Sequence, residues 1–355
     1  MKISPISTAI ALLFIFPFKE TLAQSFMGIE GSYWAGISNV GRQPASILGG
    51  GYRMDINLIG VDARFSNNYI GIHRSALFSD RSTAWSDPDF KANYLTTRNT
   101  NFNKTAYLGA EVMGPGFMMQ INSKNAFAFG VRAQSLSLAH NFSPEFAELL
   151  YTEFESPELW TRLSNQTADL QTLTWNEYYV SYAREIFNTG AHVIRAGASV
   201  KLLQGQFAAY MYMDDLDYEF FNDSVFNIYN TTVGYATSNN PQISNSDATY
   251  NFEFVGKPSL GFDFGAEYEF RPSWVLDREK KDRCMDEPYL LKIAASISDI
   301  GGIRFQKGPY YGDYLADQQD LTVSTFDVGS LAGFDSLMRT LFVEQESSPT
   351  FKMQL

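Results

Sequence analysis

The clearest pattern in the chain is an alternation of apolar and polar residues over Ser259–Phe270. Even-numbered positions there carry Leu, Phe, Phe, Ala, Tyr and Phe, whereas odd-numbered positions carry Ser, Gly, Asp, Gly, Glu and Glu. Because successive side chains of a strand point to opposite faces, this segment is predicted to be a β-strand with one aromatic and one polar face. Such a strand suits a wall between lipid and water, as in outer-membrane β-barrels.

Other segments are predicted to be strands of the same barrel. They are residues 52–65, 105–121, 126–140, 174–187, 191–203 and 289–300, with 206–214 and 226–237 as further candidates that would stand beyond the membrane. In 126–140 the apolar positions change from odd to even numbers. This slip predicts either a bulge near Gln134 or the end of the lipid-facing band there.

The connections between these strands have two lengths. Residues 122–125 and 188–190 are predicted to be tight periplasmic turns, and the charged run 277–287 another periplasmic connection. Four longer segments are predicted to be outer loops: 66–103, 141–173, 205–258 and 302–349. Short turns alternating with long outer loops are typical of outer-membrane barrels. Ser143 followed by Pro144 predicts the start of a short helix in the second loop.

Residues 1–23 are predicted to be a secretory signal peptide. Lys2 supplies the positive charge at the start, residues 9–16 are apolar, and Ala23 provides the small residue that cleavage requires. The alternative is a membrane helix, but Lys19 ends the apolar run before the roughly 20 residues that a span needs. The mature chain is therefore expected in the outer membrane of a Gram-negative bacterium.

The rest of the chain is predicted to be a single all-β domain, an antiparallel outer-membrane barrel over residues 52–355. Residues 24–51 precede it as a lead-in or as a plug of the barrel interior. Residues 350–355 begin another alternation, and the chain then ends. Because a barrel leaves no unpaired strand edge in lipid, we expect further strands, so that this chain would hold a truncated barrel.

The alternation also predicts which polar side chains face the interior of the barrel. Both signs of charge occur among them, so they either line an aqueous route or pair into a closed interior. Small barrels fill themselves with side chains and wider ones leave a channel, so the number of strands decides. The predicted lumen-facing residues are Arg53, Asp55, Asn57, Arg132, Gln134, Glu177, Arg195, Lys201, Asp263, Glu267, Glu269 and Lys292.

Charge and cysteine content limit the partners of the chain. A net charge of −12 without a basic stripe disfavours nucleic acid, and a single cysteine, Cys284, allows neither an internal disulfide nor a CxxC metal site. The acidic residues Asp214, Asp215 and Asp217 are weak candidates for a Ca²⁺ or Mg²⁺ site. Their spacing lacks the central Gly and terminal Glu of an EF-hand, so a solvated acidic loop is the favoured interpretation and no cofactor is expected.

Catalysis has one candidate centre. His140 lies near the outer end of its predicted strand, and Ser137, Ser143 and Asp169 lie in the segments around it. A hydrolase needs a histidine beside a nucleophile and an acid, and no motif ties these residues together. The chain is therefore not expected to be an enzyme.

Four local motifs occur in order along the chain: Gly114-Pro115-Gly116-Phe117-Met118, Trp175-Asn176-Glu177-Tyr178-Tyr179, Gly197-Ala198-Ser199-Val200-Lys201, and Gly261-x-Asp263-x-Gly265 followed by Ser298-Asp299-Ile300-Gly301. Together they resemble an uncharacterised family of outer-membrane barrel proteins from Bacteroidetes-type bacteria. That family is distantly similar to FadL-like transporters and to the PorV and PorP barrels of type IX secretion. The resemblance implies no catalytic residues.

Two functions follow as expectations from this resemblance and from the interior residues. The first is a FadL-like passive conduit for small or hydrophobic molecules, for which residues 38–45 loosely resemble the plug-forming start of FadL-like barrels. The alternative is a non-transporting scaffold or accessory barrel for protein secretion or surface attachment. The expected partners are outer-membrane lipid and lipopolysaccharide, together with other envelope proteins in the second case.

Overall fold

The computed structural model describes residues 31–78, 86–98, 100–156, 160–239, 255–275, 289–326 and 330–355. The predicted signal peptide and the predicted connection 277–287 lie outside these residues. Within them the protein is mostly antiparallel β-sheet, which confirms the all-β prediction.

The strands of the described part are β1 (Met54–Asn57), β2 (Gly60–Asn67), β3 (Ile70–Ile72), β4 (Leu95–Thr97), β5 (Lys104–Asn122), β6 (Asn125–Phe142), β7 (Arg162–Asn188), β8 (His192–Phe220), β9 (Val225–Ser238), β10 (Gly256–Lys257), β11 (Ser259–Phe270), β12 (Leu291–Ile300), β13 (Gly302–Thr322), β14 (Val343–Gln345) and β15 (Thr350–Gln354). The α-helices are α1 (Arg74–Phe78), α2 (Phe90–Tyr94), α3 (Pro144–Tyr151) and α4 (Leu331–Leu341). Short 3-10 turns lie at Gly36–Asn39, Pro44–Ile47 and Val323–Phe326. None of the described helices is both long enough and apolar enough to cross a membrane.

The large sheet is built mainly from strands that are neighbours in the sequence. β1 and β2 pair with β5, and β5, β6, β7 and β8 follow one another. The first half of β8 pairs with β11 and its second half with β9; β12 then pairs with β11, and β13 with β9. β14 and β15 pair with β13. Among the described residues, no strand pairing joins the β1–β2 edge to the β12 and β15 edge.

The two ends of the sheet differ. The β5–β6 and β7–β8 connections are tight, as predicted, and we call their end the turn end; the opposite end, where residues 143–161 join β6 to β7, is the loop end. Near the turn end the sheet exposes its apolar face and buries its polar face. In β11, for example, Leu260 and Phe264 are exposed, whereas Asp263 and Glu267 are buried. We call these faces the outer and the inner face.

One row of apolar side chains crosses the whole outer face. Each member lies opposite the next in the register of neighbouring strands, so all of them point to the same side. Soluble sheets bury such a row, and a contiguous exposed apolar surface marks contact with lipid or with a protein partner. This apolar row consists of Ile56, Phe117, Phe129, Val180, Val200, Phe262 and Ile300.

Near the loop end the outer face of β8 and β9 is covered. Leu170, Met211 and Tyr235 lie opposite one another on the outer face of β7, β8 and β9. Helix α4 packs onto this row, with the ring of Phe334 centred 5.2 Å from that of Tyr235. The Tyr235 hydroxyl donates a hydrogen bond to the Asp335 carboxylate at 2.8 Å. The exposed apolar surface of these strands therefore lies between α4 and the turn end.

The predictions for two outer loops are partly wrong. β7 begins at Arg162 and so occupies part of the predicted loop 141–173, and β13 occupies Gly302–Thr322 within the predicted loop 302–349. β8 runs to Phe220, which joins the candidate strand 206–214 to the strand before it. The reason is that α4 and its neighbours pack against the outer face at the loop end. The loop-end parts of β7, β8 and β13 therefore lack the simple apolar–polar alternation of a lipid-facing strand.

Of the two explanations given for the slip in 126–140, the bulge near Gln134 is wrong. β6 pairs with β7 in one unbroken register as far as His140. Leu136 lies on the inner face, where it packs against a cluster that includes Trp175. The slip in the pattern arises because the inner face itself changes from polar to apolar towards the loop end. The short helix predicted after Ser143 is confirmed as α3.

Candidate functional site

The inner face near the turn end carries buried ion pairs. Lys201 on β8 lies at their centre, and its side chain is almost fully buried. Its Nζ atom is 2.8 Å from Asp263 Oδ1, 2.6 Å from Asp299 Oδ1 and 3.5 Å from Glu177 Oε1. Arg132 approaches the same Glu177 carboxylate at 2.6 Å. We call Lys201, Arg132, Glu177, Asp263 and Asp299 the Lys201 cluster.

A second group of ion pairs lies closer to the turn end. The Arg195 guanidinium donates two hydrogen bonds to the Glu269 carboxylate, at 2.7 and 3.1 Å. Lys292 Nζ lies 3.0 Å from Glu267 Oε1. A bidentate contact of this kind satisfies both carboxylate oxygens and holds the geometry firmly. Opposite charges therefore neutralise each other on this part of the inner face.

Residues 35–48, which we call the N-terminal segment, pack onto the inner face beside these ion pairs. Gln43 is buried and donates from Nε2 to the carbonyl oxygens of Ala266 on β11 and Ala295 on β12, at 3.2 and 3.0 Å. The Ile37 amide donates to the Asp55 carboxylate at 2.9 Å. Ile37 also packs with Tyr179 in a buried apolar cluster. The segment thus contacts β1 near one edge of the sheet and β11 and β12 near the other.

Gly197 on β8 makes this close approach possible. A Cβ atom at position 197 would lie 2.5 Å from backbone atoms of Pro44 and Ala45. We expect Gly197→Val to displace the N-terminal segment and to expose the Arg42–Gln43 bond to trypsin. Limited proteolysis of the folded protein in detergent, with mass spectrometry of the fragments, measures the rate of cleavage.

Ala198→Val is the matched control, because position 198 is the next residue of β8 and faces outward. Cleavage after Arg42 should be faster for Gly197→Val than for the wild type, and unchanged for Ala198→Val. Equal rates in all three proteins would show that position 197 does not hold the segment in place.

An apolar layer follows on the inner face towards the loop end. Trp175 and Leu203 lie in it, together with Ile303 and Phe305 of β13 and Met353 of β15. The Phe305 ring closes over the backbone of β8, where a Cβ at Gly205 would lie 2.4 Å from it. The N-terminal segment and the ion pairs therefore share one level of the inner face, and this apolar layer covers the next level towards the loop end.

Most of the other predicted lumen-facing residues also lie on this face or beside it. Gln134 Nε2 donates to Glu177 Oε2 at 3.2 Å. Asn57 donates to the carbonyl oxygens of Met113 and Gly114 on the neighbouring strand. Arg53 differs from the others because it is exposed and precedes β1.

Asp299 was missed by the alternation. Odd-numbered residues of β12 face outward, as Ile293 and Ile297 do, so the pattern places Asp299 on the outer face. A register shift in the β11–β12 pairing and a positive φ of 59° at Asp299 turn this residue towards Lys201. The sequence did contain a signal for Asp299, namely an acidic residue at a strand end followed by two glycines. Only the register between β11 and β12 shows that its carboxylate points towards Lys201.

The candidate catalytic residues come together only in part. His140 Nδ1 lies 3.3 Å from Asp169 Oδ2, so the histidine does have an acid beside it. Ser137 accepts a hydrogen bond from Thr172, and Ser143 accepts one from the Thr167 amide. Neither hydroxyl is bonded to His140, so the arrangement lacks the base–nucleophile contact of a triad.

The three acidic metal candidates do not converge. The Asp217 carboxylate accepts two hydrogen bonds from Arg162, at 3.0 and 2.7 Å, and these lower the pKa of Asp217. Asp214 lies in a cleft with Asp169. Burial raises the pKa of Asp214, and the neighbouring Asp169 and Asp215 carboxylates raise it further. Within the described ranges, no group of three or more His, Cys, Asp or Glu side chains is placed to hold a metal ion.

Comparison with known proteins gives one match. Residues 44–351 match the family model DUF5723, which is described as a family of unknown function. No curated protein matches the chain, and no solved structure does.

Proposed function

The chain belongs to the DUF5723 family of unknown function, and we propose that it is an outer-membrane β-barrel protein. The apolar row on the outer face supports this proposal, because all its members except the half-buried Phe117 are exposed, including Val180 and Val200 on the central strands β7 and β8. β11, with its 12 residues, is also long enough, since a tilted strand needs about 9–11 residues to span a membrane. The predicted signal peptide would provide export.

Within that membrane, we propose that the protein is a non-transporting scaffold with a closed interior. One observation carries this choice: the N-terminal segment packs against the ion pairs on the inner face, and the apolar layer covers that face next to them. A water-filled route needs polar groups that water can reach, whereas Glu177, Lys201 and Asp263 are fully buried and paired with one another. The partners would be other envelope proteins, in secretion or in surface attachment.

Solute uptake by liposomes tests the closed interior. We expect liposomes that carry the wild-type protein to take up small polar and apolar probes no faster than empty liposomes. Gly197→Val, which displaces the N-terminal segment, should also stay closed, because the apolar layer remains. Uptake by the wild type above the empty-liposome rate would overturn the scaffold and favour a conduit.

A gated, FadL-like conduit is the second candidate. It is favoured by the way the N-terminal segment is held, since Gln43 and Ile37 make hydrogen bonds that a moving segment could release. For a conduit, Gly197→Val should raise uptake above that of the wild type and of Ala198→Val. Native mass spectrometry of gently extracted protein separates the two functions further, because a scaffold should retain envelope proteins and a conduit a small apolar molecule.

A further inference from the structure

An apolar groove lies on the outer face at the loop end, between the sheet and helix α3. Its volume is about 340 Å³, which lies within the ~300–1,000 Å³ range of ligand pockets. Leu150 and Tyr151 of α3 form one wall, and Phe65 of β2 another. The groove is continuous with the exposed apolar surface, because Phe65 and Leu108 beside it are both exposed.

The floor of the groove is open because two small residues meet there. Ala106 on β5 lies directly opposite Ala139 on β6, and both side chains point outward. Larger residues at either position would fill the space between the strands and α3. The groove therefore has the shape of a slot for a narrow apolar chain.

One end of the groove carries buried polar groups that fit an anion. Lys104 is buried, and its Nζ donates to the Arg98 and Thr100 carbonyl oxygens and to Thr100 Oγ1. Among the described residues, no carboxylate lies within ion-pair distance of this ammonium group. The buried hydroxyl of Tyr69, whose ring centre is 5.4 Å from Lys104 Nζ, has no hydrogen-bond partner.

A positive charge in an apolar setting is costly when no negative charge balances it. A buried donor without an acceptor is also unfavourable. Both costs are reduced by a ligand that brings a negatively charged group with acceptor oxygens to this end of the groove. The apolar groove requires that the same ligand carries a hydrocarbon chain.

We propose that this groove binds one acyl chain of an anionic membrane lipid, with the lipid phosphate beside Lys104 and Tyr69. The inference rests on the proposed membrane location, since the lipid comes from the surrounding bilayer. The groove lies at the loop end of the sheet. It therefore lies at the outer leaflet when the loop end faces the cell exterior. The Lys104 charge accounts for a preference for anionic over zwitterionic headgroups.

Native mass spectrometry of the full chain in detergent tests this site, with phosphatidylglycerol or phosphatidylcholine of identical acyl chains as the probe. We expect the wild type to retain phosphatidylglycerol in preference to phosphatidylcholine. Ala106→Phe fills the groove and should lower retention of phosphatidylglycerol about tenfold. Ala139→Phe fills it from the opposite strand, and Lys104→Gln should abolish the preference between the two lipids.

Ala110→Phe is the matched control, because it lies on the same face of β5 but outside the groove. It should retain lipid as the wild type does. The proposal is overturned if Ala106→Phe and Ala139→Phe retain as much phosphatidylglycerol as Ala110→Phe, or if the wild type binds both lipids equally.

A flotation measurement on the same samples separates this inference from the proposed function. A wild-type protein that floats with lipid vesicles but retains no phosphatidylglycerol contradicts the groove site alone. A folded wild-type protein that does not float with vesicles contradicts the membrane location itself.

Discussion

Val180→Arg is expected to destabilise the protein in lipid vesicles by about 2–4 kcal/mol, whereas Val343→Arg should change its stability by less than about 0.5 kcal/mol. The two valines are equally exposed, at 62% and 65%. Val180 belongs to the apolar row, and in the proposed membrane location an arginine there would enter the hydrocarbon region. Val343 lies on β14, beside the loop-end half of β13. In water, both substitutions would be nearly neutral.

The two valine variants therefore separate lipid from solvent as the surroundings of the outer face. Urea unfolding of each variant in phosphatidylcholine vesicles, followed by tryptophan fluorescence, gives the free energy of unfolding. A larger loss for Val180→Arg than for Val343→Arg supports membrane embedding. Equal, small losses would place the apolar row in contact with water and contradict the proposed location.

Lys201→Met is expected to destabilise the folded state by about 3–5 kcal/mol, because it removes one partner from a buried ion pair. The Asp263 and Glu177 side chains would remain buried without the ammonium group that neutralises them. Lys91→Met is the control. It removes the same charge from an exposed pair with Glu153, and such pairs contribute at most about 1 kcal/mol.

A double variant, Lys201→Met with Asp263→Asn, tests the mechanism of this loss. Removal of both charges should restore part of the stability that Lys201→Met alone removes, because fewer buried charges stay unpaired. Unfolding free energies of the two single variants and the double variant complete the cycle. Additive losses, with no recovery, would show that Lys201 does not act through Asp263.

How well the sequence predicts this fold differs from strand to strand. Ser259–Phe270 is found as β11 with the predicted bounds, because one face is exposed and apolar and the other is buried and charged. Gly302–Thr322, by contrast, was predicted to be a loop and is β13. Its residues pack against β9, β14 and β15 and near α4, so apolar and polar side chains occur on both faces and the period of two is lost.

The candidate site is likewise predicted only in part. The alternation places Lys201, Asp263 and Glu177 on one face, and the structure places these three side chains in contact. The alternation cannot say which acid pairs with which base, because that depends on the register between strands. It also misplaces Asp299, since a single register shift reverses the direction of a side chain.

Local sequence is sufficient to predict the amphipathic strands, because side-chain direction in a strand follows a local period of two. The position of the N-terminal segment on the inner face depends on tertiary packing, since its contacts with Ala266 and Ala295 join residues more than 200 positions apart. This cover over the inner face comes from long-range packing, which no local pattern in the sequence records.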